Sequence, residues 1–121
     1  MAKTAQEMVI EAKARIQEIM VDQFKTMLDE KKDLLILDVR EGEETQNGVI
    51  PGARLLPRGF LELKIENLEP RRDRTILVYC SGGMRSALAA DTLRNMGYEN
   101  IYSLVGGFKA WVEVGNPAQR P

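Results

Sequence analysis

The chain has 121 residues, 44% hydrophobic and 29% charged, with a formal net charge of −1. That is one soluble globular domain with a single core, and its charge gives no bias toward nucleic acid or an anionic membrane. One cysteine and no histidine exclude an intrachain disulfide, a Cys/His zinc cage and any Ser–His or Cys–His catalytic pair, so neither metal nor cofactor is expected. Glu7, Glu11, Lys13 and Arg15 interrupt the N-terminal segment, which therefore does not read as a secretory signal. No run approaches membrane-spanning length. A cytoplasmic setting is expected, and it suits a free thiol.

In chain order, residues 4–15 read as a helix, with Thr4 and Glu7 at capping-box spacing and a loose apolar face of Met8, Ile10 and Ala12. Residues 16–20 read as a short strand. Asp22 is the expected cap of a helix running to about Lys31. The apolar run 34–37 suits a strand buried on both faces of a parallel sheet. A polar segment follows, with turn signals at Gly48, Pro51 and Gly52, a short helix at 41–46 and a short strand at 53–56 ended by Pro57. Residues 59–67 read as partly helical. Arg71, Arg72 and Arg74, beside Glu69 and Asp73, read as a solvated loop. The clearest strand is 75–79. The clearest helix is 85–96, with Leu88, Ala89, Leu93 and Met96 on one face and Gly97 as terminator. Residues 101–105 read as the last strand, 108–114 as the last helix, and 115–121 as a frayed tail. Strands alternating with helices predict an α/β sandwich around a mostly parallel sheet.

The informative stretch runs from Thr75 through Cys80, Ser81, Gly82, Gly83, Met84, Arg85 and Ser86 to Leu88. A buried strand ends, a loop with two glycines follows, and a helix begins. Ligand sites in open parallel sheets lie at the carboxyl ends of strands. Amides turned inward at a helix N-terminus form an anion site. Such a cradle, with Arg85, favours a thiolate at Cys80. Moving a sulfane sulfur between thiolates needs no strong general base, whereas amide hydrolysis does, which argues against a cysteine protease. The competing reading makes Cys80 an inert buried residue, and its place at the head of this loop weighs against that.

Taken together, these residues resemble the rhodanese family. The loop from Cys80 to Ser86, with four residues between cysteine and arginine, looks like that family's active-site loop. Leu37, Asp38, Val39 and Arg40, with Glu44 four residues on, resemble its first signature. Residues 48–53 resemble its second, and Gly106, Gly107, Phe108, Lys109, Ala110 and Trp111 its C-terminal one. The resemblance implies a three-layer α/β/α fold with a sheet of about five strands. It divides the chain into an N-terminal helical extension (1–15), the domain (16–114) and a C-terminal tail (115–121). It also implies a sulfurtransferase of the thiosulfate type. Cys80 would take sulfane sulfur as a persulfide, and residues Ser81, Gly82, Gly83, Met84, Arg85 and Ser86 would bind substrate. The donor would be a small molecule such as thiosulfate, attracted by Arg85, and the acceptor a thiol, cyanide or a partner protein. Asp38 and Arg40 would tie the second strand's exit to neighbouring loops. Gly106, Gly107 and Trp111 would serve turns and packing.

Val49 stands where the family usually has histidine, and Thr45 where it has an aromatic residue, so the packing of 41–53 is expected to differ. The N-terminal helix fits either packing over the domain or self-association. A second function class is a non-enzymatic module for protein binding or persulfide sensing, although such modules often lack the cysteine. A third is a phosphatase or arsenate reductase. Those enzymes generally carry one more residue between cysteine and arginine, giving a wider oxyanion pocket.

Overall fold

The computed structural model describes residues 2–30 and 33–121. Strands β1 (Gln17–Ile19), β2 (Leu34–Asp38), β3 (Arg54–Leu55), β4 (Thr75–Tyr79) and β5 (Asn100–Leu104) form one sheet in the order β1-β5-β4-β2-β3. Every pairing is parallel. The helices among the described residues are α1 (Ala5–Arg15), α2 (Val21–Asp29), α3 (Gly42–Thr45), α4 (Leu61–Leu68), α5 (Met84–Asn95) and α6 (Gly107–Glu113), with a 3-10 turn at Arg58–Phe60. None of them is long and apolar enough to cross a membrane.

Strand alternation creates two cores. Leu35 and Leu37 of β2 and Ile76 and Val78 of β4 pack with Leu61 and Ile65 of α4 and Ala89, Ala90 and Leu93 of α5. Ile36, Leu77 and Tyr79 face the other way, joining Phe24 of α2 and Trp111 of α6. Residues two apart share a sheet face, so strands apolar on both faces need a helical layer on each side. The result is a three-layer α/β/α fold. Each large side chain fully buried in it contributes roughly 1.5–3 kcal/mol.

Local signals explain most boundaries, and several expectations are corrected. The Thr4–Glu7 capping box forms as the spacing predicts. The buried residues of α1 are Val9 and Ala12, while Met8 and Ile10 stay exposed. In α2 the cap is Met20 rather than Asp22: the Met20 amide donates to the Gln23 side chain at 2.8 Å. The expected helix end at Lys31 lies outside the described residues. In α5 the buried side carries the small residues Ala87, Ala89 and Ala90 together with Leu93, and Leu88 is only half-buried.

Two segments expected to be loose are held. Arg72 donates to Met96 O at 3.1 Å, to the Tyr98 hydroxyl at 3.1 Å and to Glu66 at 2.8 Å. Arg74 donates to the buried Glu69 at 2.6 Å. Arg72 and Arg74 are thus tied into the fold, while Arg71 stays 56% exposed, as expected of a solvated loop. The tail is not frayed either. The Trp111 indole donates to Pro117 O at 2.7 Å, and Gln119 pairs with Val49 through backbone bonds of 2.8 and 2.9 Å. Val49 and Thr45 are both buried.

Because all strands run the same way, their carboxyl ends share one edge of the sheet. Register places Asp38 beside Tyr79 and Val78 beside Ser103. The segments leaving β2, β4 and β5 therefore emerge as neighbours, and the fold brings residues 38–48, 80–86 and 103–109 together there.

Candidate active site

Cys80 follows the last residue of β4, and Gly83 caps α5 with φ +109°. That left-handed turn folds the loop back over the sulfur. The Gly83 amide donates to Sγ at 3.1 Å and the Ser86 amide at 3.4 Å. The Ser86 hydroxyl lies 3.6 Å from Sγ. Burial pushes the Cys80 thiol up, but the Ser86 hydroxyl and the Ser86, Gly83 and Gly82 amides outweigh it, and the net shift is down. Donors converging on one sulfur distinguish it from an inert core cysteine, which needs none. Cys80 is only 1% exposed. It lies beneath the loop, whose outer residues Gly82 and Met84 face solvent and whose Ser81 is half-buried.

The loop is fixed from behind. At the start of α6 the Phe108 amide donates to Cys80 O at 2.8 Å and the Lys109 amide to Ser81 O at 3.1 Å. Only glycine permits this approach at position 107. Its φ is +56°, and a Cβ there would collide with the carbonyl oxygen of Cys80 and come within 2.7 Å of that of Ser81. Under the sulfur, the Ser86 and Ser103 hydroxyls are 2.9 Å apart and fully buried.

Arg85 is not free. Its guanidinium grips the Glu44 carboxylate through Nη1–Oε1 at 2.7 Å and Nη2–Oε2 at 2.8 Å. This bidentate fork holds Glu44 down at about 2 and raises Arg85. The pair lies at the surface, 37% and 33% exposed respectively. Glu44 also accepts the Glu41 amide at 3.0 Å, which fixes α3 against the loop.

Deeper, Asp38 accepts the Arg40 amide at 3.0 Å and Arg40 Nη2 at 2.8 Å. Arg40 Nη2 also donates to Gly48 O at 2.8 Å. Burial disfavours the Arg40 cation, but Asp38 outweighs it and its pKa is raised. The guanidinium carbon stands 4.3 Å over the Phe108 ring and 5.6 Å over the Tyr79 ring. The Tyr79 hydroxyl accepts the Ile50 amide at 3.0 Å, and burial, then Asp38, push its pKa up.

The structure gathers Cys80, Gly82, Gly83 and Ser86 around the sulfur and places Arg85 on Glu44. Ser81 presents its carbonyl to α6, and Met84 is 55% exposed. Asp38 and Arg40 form a buried network that meets the loop's supports at the Glu44 carbonyl and the Phe108 ring. Sequence reasoning did not single out Ser103 or Tyr79, nor did it see that Gly107 and Phe108 anchor the loop or that Glu44 partners Arg85.

A three-layer α/β domain whose central strand ends in an amide-held cysteine at a helix N-terminus is the class that fold and site define. Comparison makes it particular: the rhodanese-like domain family matches residues 20–114, and the chain belongs to it. A sulfurtransferase of Allochromatium vinosum is 31% identical over 106 residues, covering 88% of this chain and 97% of that one. A thiosulfate sulfurtransferase GlpE of Pseudoalteromonas translucida is 37% identical over 93 residues, covering 77% and 86%. Among solved structures, a Rhodopseudomonas palustris protein of unknown function, described as a possible tyrosine phosphatase, superposes with a TM-score of 0.88. It is 31% identical over 98% of this chain and 96% of that one.

Proposed function

We propose that the protein is a sulfurtransferase that carries sulfane sulfur as a persulfide on Cys80. The Cys80 thiolate attacks the outer sulfur of thiosulfate or a related donor. The donor's S–S bond breaks and its electron pair leaves with sulfite, or with the corresponding leaving group. A thiophilic acceptor (cyanide, a thiol or a partner protein) then attacks the outer sulfur of the persulfide and returns Cys80 to the thiolate. No step requires a proton to be removed from carbon or water, so the absence of histidine is no obstacle. The Gly82, Gly83 and Ser86 amides and the Ser86 hydroxyl hold the anionic sulfur, Ser81 and Met84 shape the loop around it, and Asp38 and Arg40 are scaffold. A reducing compartment such as the cytoplasm suits this thiol.

The observation that carries this reading is the convergence of donors on Sγ itself. The test is intact-mass measurement after incubation with thiosulfate: an added sulfur on Cys80, removed by cyanide as thiocyanate. Cys80→Ser should lower turnover by at least about a thousandfold. Full activity in that variant would sink the proposal. A protein that accepts sulfur from no donor would instead point to a binding module.

The description of the Rhodopseudomonas palustris protein favours a phosphatase as second reading. It fits less well, because the loop closes on the sulfur and the Arg85 fork is occupied by Glu44 rather than open to a phosphoryl group. Cys80-dependent hydrolysis of an aryl phosphate would reverse this preference.

A further inference from the structure

We propose that the groove between the outer edge of β3 and α4 docks an acidic, extended segment of a partner protein, the acceptor of sulfur from Cys80. The segment's role as acceptor rests on the sulfurtransferase reading and deepens it by naming where the partner is held and by what chemistry. Its binding does not depend on that reading.

The sheet ends at β3, so no strand among the described residues pairs with its outer side. The Leu56 amide donates inward to Asp38 O at 2.9 Å. Backbone groups alternate in direction along a strand, so the Leu55 amide faces the open side, where an added strand can pair with it. Beside this edge runs a groove of about 460 Å³, lined from β3 and α4. Its apolar lining includes Leu55 and Phe60, 42% and 50% exposed. Its only charged lining residues are Arg54 and Lys64, both exposed. Lys64 Nζ stands 4.9 Å over the Phe60 ring, and among the described residues neither cation has a carboxylate partner. The carboxylates of α4 are engaged elsewhere: Glu62 with Arg58 at 3.0 Å and Glu66 with Arg72 at 2.8 Å. An apolar groove with two unpaired cations is complementary to a segment that carries both acidic and apolar side chains. The strand edge selects an extended segment, whose alternate side chains fall on the groove.

The groove is close enough to serve Cys80. At the carboxyl edge of the sheet the Val39 amide donates to Tyr79 O and the Arg58 amide to Val39 O, each at 3.0 Å. The chain leaving β3 is thus two neighbours away from the chain leaving β4. At ~4.8 Å per strand spacing that is about 10 Å, which an extended segment covers in about three residues. A segment seated on β3 therefore brings a cysteine of its own to the loop. That thiol gives its proton to solvent, and its sulfur attacks the outer sulfur of the Cys80 persulfide. The S–S bond breaks, its electron pair returns to Cys80 Sγ, and the partner leaves as the persulfide. Arg54 and Lys64 stand apart from the reacting sulfur, so they govern capture of the partner and not the transfer itself.

The probes are two short peptides that end in cysteine, one alternating glutamate with valine and the other lysine with valine. Amide NMR shifts follow the binding of their serine-ended forms, and intact mass follows sulfur passing from loaded Cys80 to the peptide cysteine. The glutamate peptide is expected to shift residues 54–68. It should bind and accept sulfur at least about tenfold better than the lysine peptide, through KM rather than kcat. Arg54→Glu combined with Lys64→Glu should invert the order of the two peptides and leave the rate with cyanide within about twofold, which also reports that the variant is folded. Equal use of the two peptides by wild type, which needs no variant to fold, overturns the proposal. So does a wild-type dimer in sedimentation that the double variant dissociates, since a second copy would then fill the groove. A uridine oligonucleotide that shifts the same residues more strongly than the glutamate peptide overturns it as well. Failure of Cys80 to gain sulfur removes the sulfurtransferase reading and the acceptor role with it, and the NMR titration still decides the docking. Gain of sulfur with equal use of both peptides removes the inference alone.

Discussion

The segments leaving β2 and β4 emerge side by side, and they treat polar groups in opposite ways. After β2, each donor noted for Arg40 ends on an acceptor of the protein: Asp38, the Gly48 carbonyl and the Glu44 carbonyl. After β4, donors of the Cys80 loop end on a sulfur that can itself change. Each segment buries its central residues, Asp38 and Arg40 in one and Cys80 and Ser86 in the other, and both carry residues that motif reading associates with function. What separates them is where the hydrogen bonds terminate. A closed network specifies shape, whereas a convergent one poises an atom.

The comparison is broken most severely by opening the closed network. Asp38→Asn leaves the Arg40 cation, 4% exposed, without its counter-charge. Losing one member of a buried pair costs about 3–5 kcal/mol, to be read from the urea midpoint. In the fraction that remains folded, the pH profile of Cys80 alkylation should stay where it is. A shifted profile would show that the contacts joining the two regions, Arg40 with the Glu44 carbonyl and with the Phe108 ring, carry an effect through to the sulfur.

The junction between α6 and the Cys80 loop comes next. Gly107→Ala puts a Cβ against backbone carbonyls at φ +56°, where neither neighbour can yield cheaply. A loss of roughly 1–3 kcal/mol is expected. Because the displaced atoms belong to Cys80 and Ser81, sulfur transfer should fall further than stability predicts. Retained activity with lost stability would show that α6 supports the loop without aligning it.

How much of this was legible in the sequence depends on the range of the interaction. The strand–loop–helix at 75–96 is written in local signals, namely an apolar run, paired glycines and a long helical face, so the element carrying Cys80 could be read directly. The Thr4 capping box is also local. Strand order is not local: nothing in residues 100–109 says that β5 lies beside β4, and so the contacts of Ser103, Gly107 and Phe108 with the cysteine loop were invisible. The Glu44–Arg85 fork spans 41 positions, and periodicity carries no signal for it. The same limit explains the tail and the basic cluster. Their compositions say loop, while Val49 and Tyr98, distant in sequence, hold them in place together with Trp111 and Glu66, each six positions from its partner.

A milder change sharpens the account of the convergent network. Burial alone would raise the Cys80 pKa, and the Ser86 hydroxyl is the foremost of the groups that pull it down. Ser86→Ala should therefore move the iodoacetamide alkylation profile to higher pH and slow alkylation at neutral pH about three- to tenfold. That matches one hydrogen bond worth about 0.5–1.5 kcal/mol. Ser103→Ala, which removes only the partner of that hydroxyl, should move the profile in the same direction by less. An unmoved profile in Ser86→Ala would assign the sulfur's poise to the amides alone.

The smallest effect concerns the ion pair that borders both segments. Glu44 titrates near 4.5 in the unfolded chain and about 2 in the folded protein. A depressed carboxylate stabilises the fold fully above its unfolded pKa, and that contribution is lost as pH falls from about 4.5 toward 2. Both partners are about one-third exposed, so solvent screening limits the pair to roughly 0.2–1 kcal/mol. Urea denaturation of wild type and Glu44→Gln should differ by that amount at neutral pH and converge near pH 2. A difference that persisted there would mean that Glu44 stabilises the molecule through the backbone contacts of α3 rather than through Arg85, and the loop after β4 would then owe its position to shape alone.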